Sequence, residues 1–283
     1  MRFLRIPIGP DLALQVVERG EARAGRLPVL CVHGLTRNAR DFDALAAVLA
    51  TETRVLAVDV AGRGGSDRLA DPMLYRNDVY AQHLVALLDA LDLPQVDWVG
   101  TSMGGLIGMI VSATAPQRLR RLVLNDVGAL IPAAALQRIA TYLAEDRRFA
   151  DLAAAEAHYR RVHAPFGPLT DQQWRQLVGR SIRWTDDGWV IPTTDPAIRM
   201  VFSQPITADV DLWPLWDAVT HPTLILRGAD SDILPAATAE RMAAATKGRT
   251  RVALVEFPGV GHAPALVAPD QITAVVQWLA REG

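Results

Sequence analysis

The chain has 283 residues, of which 50% are hydrophobic and 21% are charged, a mixture typical of a soluble globular protein with one large domain or two small ones. The formal net charge is −2, and acidic and basic residues are interspersed, so that neither nucleic acid nor an anionic membrane is predicted as a partner. The single cysteine, Cys31, cannot form an internal disulfide, and no stretch approaches the roughly 18 uninterrupted apolar residues of a transmembrane helix.

The N-terminal residues 1–7 lack the long apolar stretch of a secretory signal peptide. Together with the lone cysteine, this favours a reducing, cytoplasmic location. No group of His, Cys and Asp residues has the spacing of a metal site. The stretch 62–65, Gly-Arg-Gly-Gly, has neither the spacing nor the following helix of a nucleotide-binding fingerprint. The sequence therefore predicts no metal and no cofactor.

Short apolar runs alternate with helical patterns as far as Asp126. The first run alternates loosely and indicates an antiparallel edge strand. The later runs are continuous, as is typical of parallel strands that are covered on both faces. The predicted strands are residues 12–18, 28–32, 54–59, 95–99 and 119–126, and the predicted helices are 41–50, 80–91 and one that begins near 103. This alternation with short loops predicts a parallel α/β sheet.

The alternation stops over residues 127–216, which show helical patterns but no buried strand. Five of the seven tryptophans lie there. The segment is too long and too apolar for a loop, so we expect a mostly helical insertion. Alternation resumes with predicted strands at 223–227 and 252–256 and predicted helices at 235–245 and 265–280.

The stretch 100–105, Gly-Thr-Ser-Met-Gly-Gly, lies between a predicted buried strand and a predicted buried helix. A Gly-x-Ser-x-Gly pattern in this context predicts a nucleophile elbow, in which Ser102 projects its hydroxyl from a strained turn. The N–H of Met103, at the start of the helix, would then face an oxyanion formed on a carbonyl attacked by the serine.

A serine nucleophile needs a base within hydrogen-bond reach. Of the six histidines, His262 follows the last predicted strand in a glycine-punctuated loop. In a parallel sheet that loop lies at the carboxyl edge, where the elbow also lies. His33 is at the same edge, but it is followed at once by Gly34 and the next turn. We therefore expect His262 to contact Ser102.

The base requires an acceptor, usually a carboxylate, that orients it. Asp230 and Asp232 lie in the loop after the strand at 223–227, and either could reach the imidazole of His262. Asp126 ends the strand after the elbow, at the same edge of the sheet, and is a third candidate. A loop aspartate that is not used would serve as a turn or helix cap.

The chain resembles an α/β-hydrolase with a helical cap over nearly its whole length. Four motifs carry the resemblance: His33-Gly34-Leu35, the stretch 59–67 (Asp-Val-Ala-Gly-Arg-Gly-Gly-Ser-Asp), the elbow at 100–105, and Gly261-His262-Ala263-Pro264. The resemblance implies a mostly parallel eight-stranded sheet flanked by helices, with the cap inserted after strand 6. It also implies a core domain of residues 1–126 and 217–283 and a cap of residues 127–216.

The resemblance assigns the second oxyanion N–H to Leu35, beside that of Met103. Many members place the acid in a Gly-x-x-Asp-x-x-x-Pro stretch, but this chain has Ser231 at the fourth position and an aspartate on either side. A branch of the family resembles Gly-x-x-Ser-Asp-[Ile/Leu]-Leu, followed by His-Ala-Pro at the histidine. That match favours Asp232 over Asp230, with Asp126 third.

A serine at the elbow resembles esterases, lactonases and carbon–carbon bond hydrolases, and argues against haloalkane dehalogenases and epoxide hydrolases. We expect a hydrolase of a small, fairly apolar carboxylic ester or lactone, with the Trp-rich insertion roofing its pocket. A hydrolase of vinylogous diketones from ring cleavage is the alternative, although Ala263 stands where such enzymes usually carry Trp. A non-catalytic ligand-binding homologue is a third hypothesis. The sequence specifies neither the substrate nor whether the chain forms a homo-oligomer.

Overall fold

The computed structural model describes residues 1–145, 147–244 and 251–281. The strands are β1 Arg2–Gly9, β2 Leu12–Arg19, β3 Val29–Val32, β4 Val55–Val58, β5 Val96–Thr101, β6 Leu119–Asn125, β7 Leu130–Ile131, β8 Ile182–Trp184, β9 Val190–Pro192, β10 Val210–Asp211, β11 Thr223–Gly228 and β12 Val252–Phe257. The α-helices are α1 Asp43–Leu49, α2 Asn77–Ala90, α3 Met103–Thr114, α4 Ala133–Ala144, α5 Leu152–Val162, α6 Asp171–Gly179, α7 Trp213–Ala218, α8 Ala236–Ala244 and α9 Pro269–Ala280.

The strands of the main sheet run in the order β1-β2-β4-β3-β5-β6-β11-β12. From β4 to β12 every neighbouring pair is parallel, whereas β2 is antiparallel to both β1 and β4. The central strands are continuous apolar runs with every residue of β3 and β4 buried, because helices cover both faces. The prediction of a mostly parallel eight-stranded sheet flanked by helices is confirmed.

One apolar cluster lies on each face of the main sheet. Helices α2, α3 and α8 pack in one cluster, which includes the buried side chains of Trp98 and Met242. Helices α1 and α9 pack in the other cluster, which includes Phe42 and Trp278. Because the parallel strands end at one edge, the loops that follow β3, β5, β6, β11 and β12 meet there.

Strand β1 is absent from the sequence-based prediction, and β2 is therefore not the edge strand that the sequence indicated. β1 pairs with β2 along nearly its whole length. Only one of its faces is partly covered, by Leu4, Ile6 and Ile8. An edge strand with one sparse apolar face and an internal proline, Pro7, has little sequence signal, since edge positions tolerate both features.

The segment between β6 and β11 adds no strand to the main sheet within the described residues. It contains helices α4 to α7, in agreement with the helical patterns of the sequence. It also contains two short antiparallel strand pairs, β7 with β10 and β8 with β9. Strands of two or three residues are too short to give a periodic signal. The predicted boundary at 216/217 falls inside α7, where Trp216 is fully buried in the core cluster with α3.

Three sequence-based elements differ at their ends. The predicted helix at 41–50 begins with a 3₁₀ turn, Ala39–Phe42, before α1. The predicted helix at 265–280 starts only at Pro269, which occupies the first helical turn. Residue 245, the end of the predicted helix at 235–245, lies outside the described residues, as do 282–283 of the predicted core domain.

Gly104 allows β3 and α3 to approach each other at the elbow. A Cβ atom at this position would lie 2.0 Å from the backbone carbonyl oxygen of Val32, far inside van der Waals contact. Gly104→Ala is therefore expected to lower the thermal unfolding midpoint by roughly 6–12 °C, which corresponds to about 3 kcal/mol of overpacking in a chain of this size.

The matched control is Gly179→Ala at the exposed end of α6, where an added Cβ would meet nothing within 4 Å. Alanine favours the helix over glycine by up to about 1 kcal/mol, so this variant should melt at the wild-type temperature or slightly above it. Equal midpoints for the two variants would contradict the close approach at Gly104.

Candidate active site

Ser102 lies at the turn between β5 and α3. Its backbone has φ 52° and ψ −115°, a conformation that residues with side chains rarely adopt. Its N–H donates to the carbonyl of Asn125 on the neighbouring strand β6 (2.9 Å), which helps to hold the turn. The strained turn projects the Ser102 hydroxyl away from the sheet edge, as the elbow pattern predicts.

His262 lies in the loop between β12 and α9, and its Nε2 is 2.9 Å from the Oγ of Ser102. The predicted contact between these two side chains is therefore formed. Two neighbours fix the loop: the N–H of Gly261 donates to the carbonyl of Pro165 (2.7 Å), and the amide of Asn125 donates to the carbonyl of Pro264 (2.8 Å).

Asp126 is the carboxylate that contacts the other side of the imidazole, with Oδ2 2.7 Å from Nδ1 of His262. Its side chain is fully buried and also accepts hydrogen bonds from the N–H of Gly228 (2.8 Å) and the hydroxyl of Ser231 (2.6 Å). A carboxylate can only accept, so Nδ1 of His262 carries the proton and Nε2 is left to accept from Ser102.

The prediction that Asp232 orients His262 is wrong for this structure. Its carboxylate is 44% exposed and forms a two-pronged ion pair with Arg138 on α4 (2.6 and 2.9 Å). Asp230, the second choice, has an exposed side chain. The residue between them, Ser231, is the one that points inward, and its hydroxyl also accepts from the N–H of Leu234 (3.1 Å). Because Ser231 turns inward to Asp126, its two neighbours turn outward.

The two backbone N–H groups expected to bind an oxyanion lie on either side of Ser102. Met103 is the first residue of α3, where an N–H has no acceptor within the helix and the helix dipole is positive. On the other side, a Cβ placed on Gly34 would be 3.7 Å from the Cβ of Ser102, so the loop that carries Leu35 passes directly beside the serine. Their role in catalysis stays a prediction.

Arg63 is a residue that sequence reasoning missed. It is fully buried, and its Nε donates to the carbonyl of Leu35 (2.9 Å) while Nη2 lies 3.5 Å from the Sδ of Met103. Its Nη1 donates to the carbonyl of Ala61 and to the hydroxyl of Tyr80. A single guanidinium thus braces both residues that flank the elbow. An arginine in a glycine-rich stretch looks solvated in the sequence, so no signal could have indicated this.

His33 positions the same loop and is not a base. Its Nδ1 donates to the carbonyl of Gly34 (2.7 Å), and its Nε2 accepts from the N–H of Val60 (3.0 Å). Complete burial lowers the pKa of His33 to about 3, so that the ring is neutral at neutral pH. A second serine–histidine contact exists between Ser112 and His221 (2.7 Å), but there the far nitrogen of the imidazole binds the carbonyl of Pro116 and not a carboxylate.

The segment between β6 and β11 contacts the loops at the carboxyl edge from above. It contacts the loop after β3 through Thr194, whose hydroxyl donates a hydrogen bond to the carbonyl of Thr36 (3.1 Å). It accepts from the histidine loop through the carbonyl of Pro165, and it reaches the loop after β11 through the Arg138–Asp232 ion pair. All three loops that carry or flank the site are thus held by this segment.

Three aromatic rings of the segment, those of Tyr159, His163 and Phe166, stack in the stretch that contacts the histidine loop through Pro165. The ring of His163 lies 5.7 Å from that of Tyr159 and 4.7 Å from that of Phe166. Burial holds the pKa of His163 well below its usual value, and the nearby positive charge of Arg37 and the ring of His262 lower it further.

The five tryptophans of the segment have different surroundings. Trp216 packs in the core, Trp184 is 55% exposed, and Trp174, Trp189 and Trp213 stack on the guanidinium groups of Arg160, Arg148 and Arg241. That the Trp-rich segment roofs the substrate pocket stays a prediction.

The described residues contain no group of three or more His, Cys, Asp and Glu side chains that could hold a metal ion. In the same part of the chain, none of the helices has both the length and the apolar character needed to cross a membrane.

A hydroxyl, an imidazole and a buried carboxylate linked in this order can transfer a proton from the serine as it attacks a carbonyl. Sheet order and elbow agree with a profile of the α/β-hydrolase fold that matches residues 28–269. The chain belongs to the α/β-hydrolase family.

Known relatives of the chain include hydrolases with different named substrates. It is 39% identical over 259 residues to a 3-hydroxybutyrate-oligomer hydrolase of Cupriavidus necator, covering 88% of this chain and 87% of the relative. It is 27% identical to a 2-hydroxymuconate semialdehyde hydrolase of a Pseudomonas species, covering 83% and 82% of the two chains. A crystal structure of an α/β hydrolase from Novosphingobium aromaticivorans matches with a TM-score of 0.87 and 39% identity, covering 99% and 98%. These relatives support a hydrolase that acts on a small molecule.

Proposed function

We propose that this protein is a serine hydrolase that cleaves carboxylic esters through an acyl-enzyme on Ser102. The observation that carries the proposal is the continuous hydrogen-bonded path from the hydroxyl of Ser102 through His262 to the buried carboxylate of Asp126, with steps of 2.9 and 2.7 Å. Asp126 takes the role that the sequence had favoured for Asp232.

The proposed reaction has two halves. Ser102 Oγ attacks the ester carbonyl carbon while Nε2 of His262 accepts the hydroxyl proton, and Asp126 stabilises the imidazolium. The N–H groups of Leu35 and Met103 bind the oxyanion. His262 then returns its proton to the leaving alcohol, and the acyl group stays on Ser102. In the second half a water molecule, deprotonated by the same histidine, attacks the acyl carbon. The bond to Ser102 Oγ then breaks, the serine takes the proton back from His262, and the acid is released.

The substrate that we favour is a short linear ester of a hydroxy acid. The 39% identity to a 3-hydroxybutyrate-oligomer hydrolase over most of both chains supports this class. Residues 127–216 would form the cap over the bound chain, on a core of residues 1–126 and 217–283, and the loop contacts of Thr194, Pro165 and Arg138 support that division. Cleavage of lactones would use the same groups.

A second candidate is hydrolysis of a carbon–carbon bond in a vinylogous diketone. The similarity to a 2-hydroxymuconate semialdehyde hydrolase favours it, and so does the shared need for a serine, a histidine and an aspartate. Ala263, which follows His262 at the position where such enzymes usually carry tryptophan, weighs against it.

A substrate panel separates these candidates. We expect the purified chain to hydrolyse 3-hydroxybutyrate dimer and trimer and p-nitrophenyl butyrate, with kcat/KM at least about 100-fold higher than for 2-hydroxymuconate semialdehyde, since sites built for one reacting group discriminate at this level or above. The readouts are acid release and absorbance. Faster turnover of the ring-cleavage product than of every ester would reverse the assignment.

Labelling with a fluorophosphonate tests whether the site is catalytic at all. The probe requires an activated serine, so we expect one label, on Ser102. A chain that binds esters but is inert to the probe and to the whole panel would be a non-catalytic homologue.

A further inference from the structure

A cavity of about 650 Å³ is lined almost wholly by the segment between β6 and β11, with Arg68 from the loop after β4, and its lining is strongly basic. Five arginines and only two carboxylates face it: Arg68, Arg147, Arg148, Arg183, Arg199, Glu145 and Asp187. The arginines come from four separate parts of the chain. They are the loop after β4, the residues after α4, strand β8, and the 3₁₀ turn Pro196–Phe202. A concave surface of one charge sign, assembled from distant elements, is suited to an anionic ligand.

Both carboxylates of the lining already form ion pairs. Glu145 pairs with Arg161, which is outside the lining (2.6 Å). Asp187 pairs with Arg148 (3.1 Å) and accepts from the hydroxyl of Thr185 (2.5 Å). Neither acid is therefore available to neutralise the remaining arginines.

Among the residues that the structure describes, Arg147, Arg183 and Arg199 form no ion pair. Arg183 and Arg199 are exposed at the rim, whereas Arg147 is partly buried. Burial lowers the pKa of Arg147, and the positive charge of Arg199 lowers it further. The two positive charges repel each other, which destabilises the arrangement of these guanidinium groups. A carboxylate bound between them would offset that repulsion.

Thr194 connects this cavity with the loop beside the candidate active site. It lines the cavity, and its hydroxyl donates to the carbonyl of Thr36, the residue after Leu35 (3.1 Å). The basic cavity therefore borders the loop that carries the N–H of Leu35.

We propose that Arg147 and Arg199, with Arg183 at the rim, bind the free terminal carboxylate of the ester substrate. This inference rests on the proposed ester hydrolysis and deepens it, since it selects esters that end in an acid over esters that are neutral. A planar guanidinium can bind a carboxylate through two parallel hydrogen bonds, which would fix one end of a linear chain while its ester bond reaches Ser102.

The kinetic test compares 3-hydroxybutyrate trimer with its methyl ester, in which a methyl group removes the terminal charge, and follows cleavage of the internal ester bonds that both compounds share. We expect the wild type to favour the free acid, and the ratio of the two kcat/KM values to fall about 10-fold or more in Arg147→Gln/Arg199→Gln, as is usual for a lost charged hydrogen bond. Raising the ionic strength should lower the ratio in the wild type and leave it unchanged in the double variant.

Arg148→Gln is the matched control, because it removes the same charge from the same cavity at a side chain that already pairs with Asp187. It should keep the wild-type ratio. An equal fall of the ratio in Arg148→Gln would mean that only the overall positive charge of the cavity matters, which would overturn the proposal. A wild type that hydrolyses the free acid and the methyl ester equally well would also overturn it. Arg199→Gln alone, at an exposed position, gives the test if the double variant does not fold.

Binding separates this inference from the proposed reaction. Calorimetry with the Ser102→Ala chain and intact trimer needs no turnover, and the affinity should fall about 10-fold or more when Arg147→Gln and Arg199→Gln are added. If trimer binds in this way but the wild type hydrolyses no ester, the proposed function fails and the carboxylate site stands. If esters are hydrolysed but the affinity is unchanged by the arginine substitutions, the carboxylate site fails alone.

Discussion

Ser102→Ala is expected to lower kcat for p-nitrophenyl butyrate by at least about 1000-fold, with little change in KM. The substitution removes the atom that would form the acyl-enzyme, while the backbone N–H groups of Leu35 and Met103 that are proposed to bind the oxyanion are retained. Loss of a triad member leaves only the residual catalysis of the oxyanion site and of binding, so effects of this size or larger are usual. Initial rates and an active-site titration measure the result.

Ser112→Ala provides a control on the same chain. Ser112 also places its hydroxyl 2.7 Å from an imidazole nitrogen, that of His221, yet the imidazole there has a carbonyl and not a carboxylate on its other side. We expect this variant to keep activity within about threefold, because a serine–histidine contact without the acid and the elbow is not activated. A folded Ser102→Ala chain with more than about a tenth of wild-type activity would exclude the acyl-enzyme on that residue.

Much of the fold could be predicted because buried parallel strands have a strong and local signal. β3, β4 and β11 are short apolar runs bounded by turn residues, and each was found within one or two residues. β1 and the pairings of two or three residues were missed because their stability comes from neighbours that are distant in sequence. Trp216, at the predicted end of the inserted segment, packs in the core cluster through contacts that no local pattern indicates.

The site could be predicted from the sequence for those residues whose position follows from the order of strands and loops along the chain. Ser102 and His262 each follow a strand at the carboxyl edge in a distinctive glycine-rich turn, so topology alone brings them together. The acid was different, because Asp126, Asp230 and Asp232 all lie at that edge. The choice among them depends on which side chain turns inward, and this is set by the backbone. Asp126 has a positive φ of 58°.

Asp126→Asn is expected to lower kcat about 10⁴-fold, whereas Asp232→Asn and Asp230→Asn should stay within about threefold of the wild type. An amide at position 126 can donate to Nδ1 and so favours the wrong tautomer of His262, in which Nε2 carries the proton and cannot accept one from Ser102. Asp232 is half-exposed and paired with Arg138, so its loss affects only the surface. The measurement is kcat for one ester with all three variants, with circular dichroism to check folding.

A matching loss in Asp232→Asn would contradict the assignment of Asp126, as would wild-type turnover in a folded Asp126→Asn chain. Chemical denaturation should accompany the kinetics, because Asp126 also accepts from Gly228 and Ser231. An asparagine keeps one oxygen for these donors, so we expect a loss of stability of about 1–3 kcal/mol, too small to explain the fall in kcat.

Ser231→Asp offers a sharper test, because its effect should change sign with the residue at position 126. Ser231 Oγ lies 2.6 Å from the carboxylate of Asp126 and stands where many family members carry the acid. In the wild-type background a second carboxylate there would face the first, so that one of them must bind a proton, and activity should fall at least about 10-fold. In the Asp126→Asn background the same substitution restores a carboxylate within reach of His262, and kcat should rise about 10- to 100-fold. Additive effects of the two substitutions would show that position 231 does not share the acid's place, since two residues that can each orient the same imidazole are expected to couple.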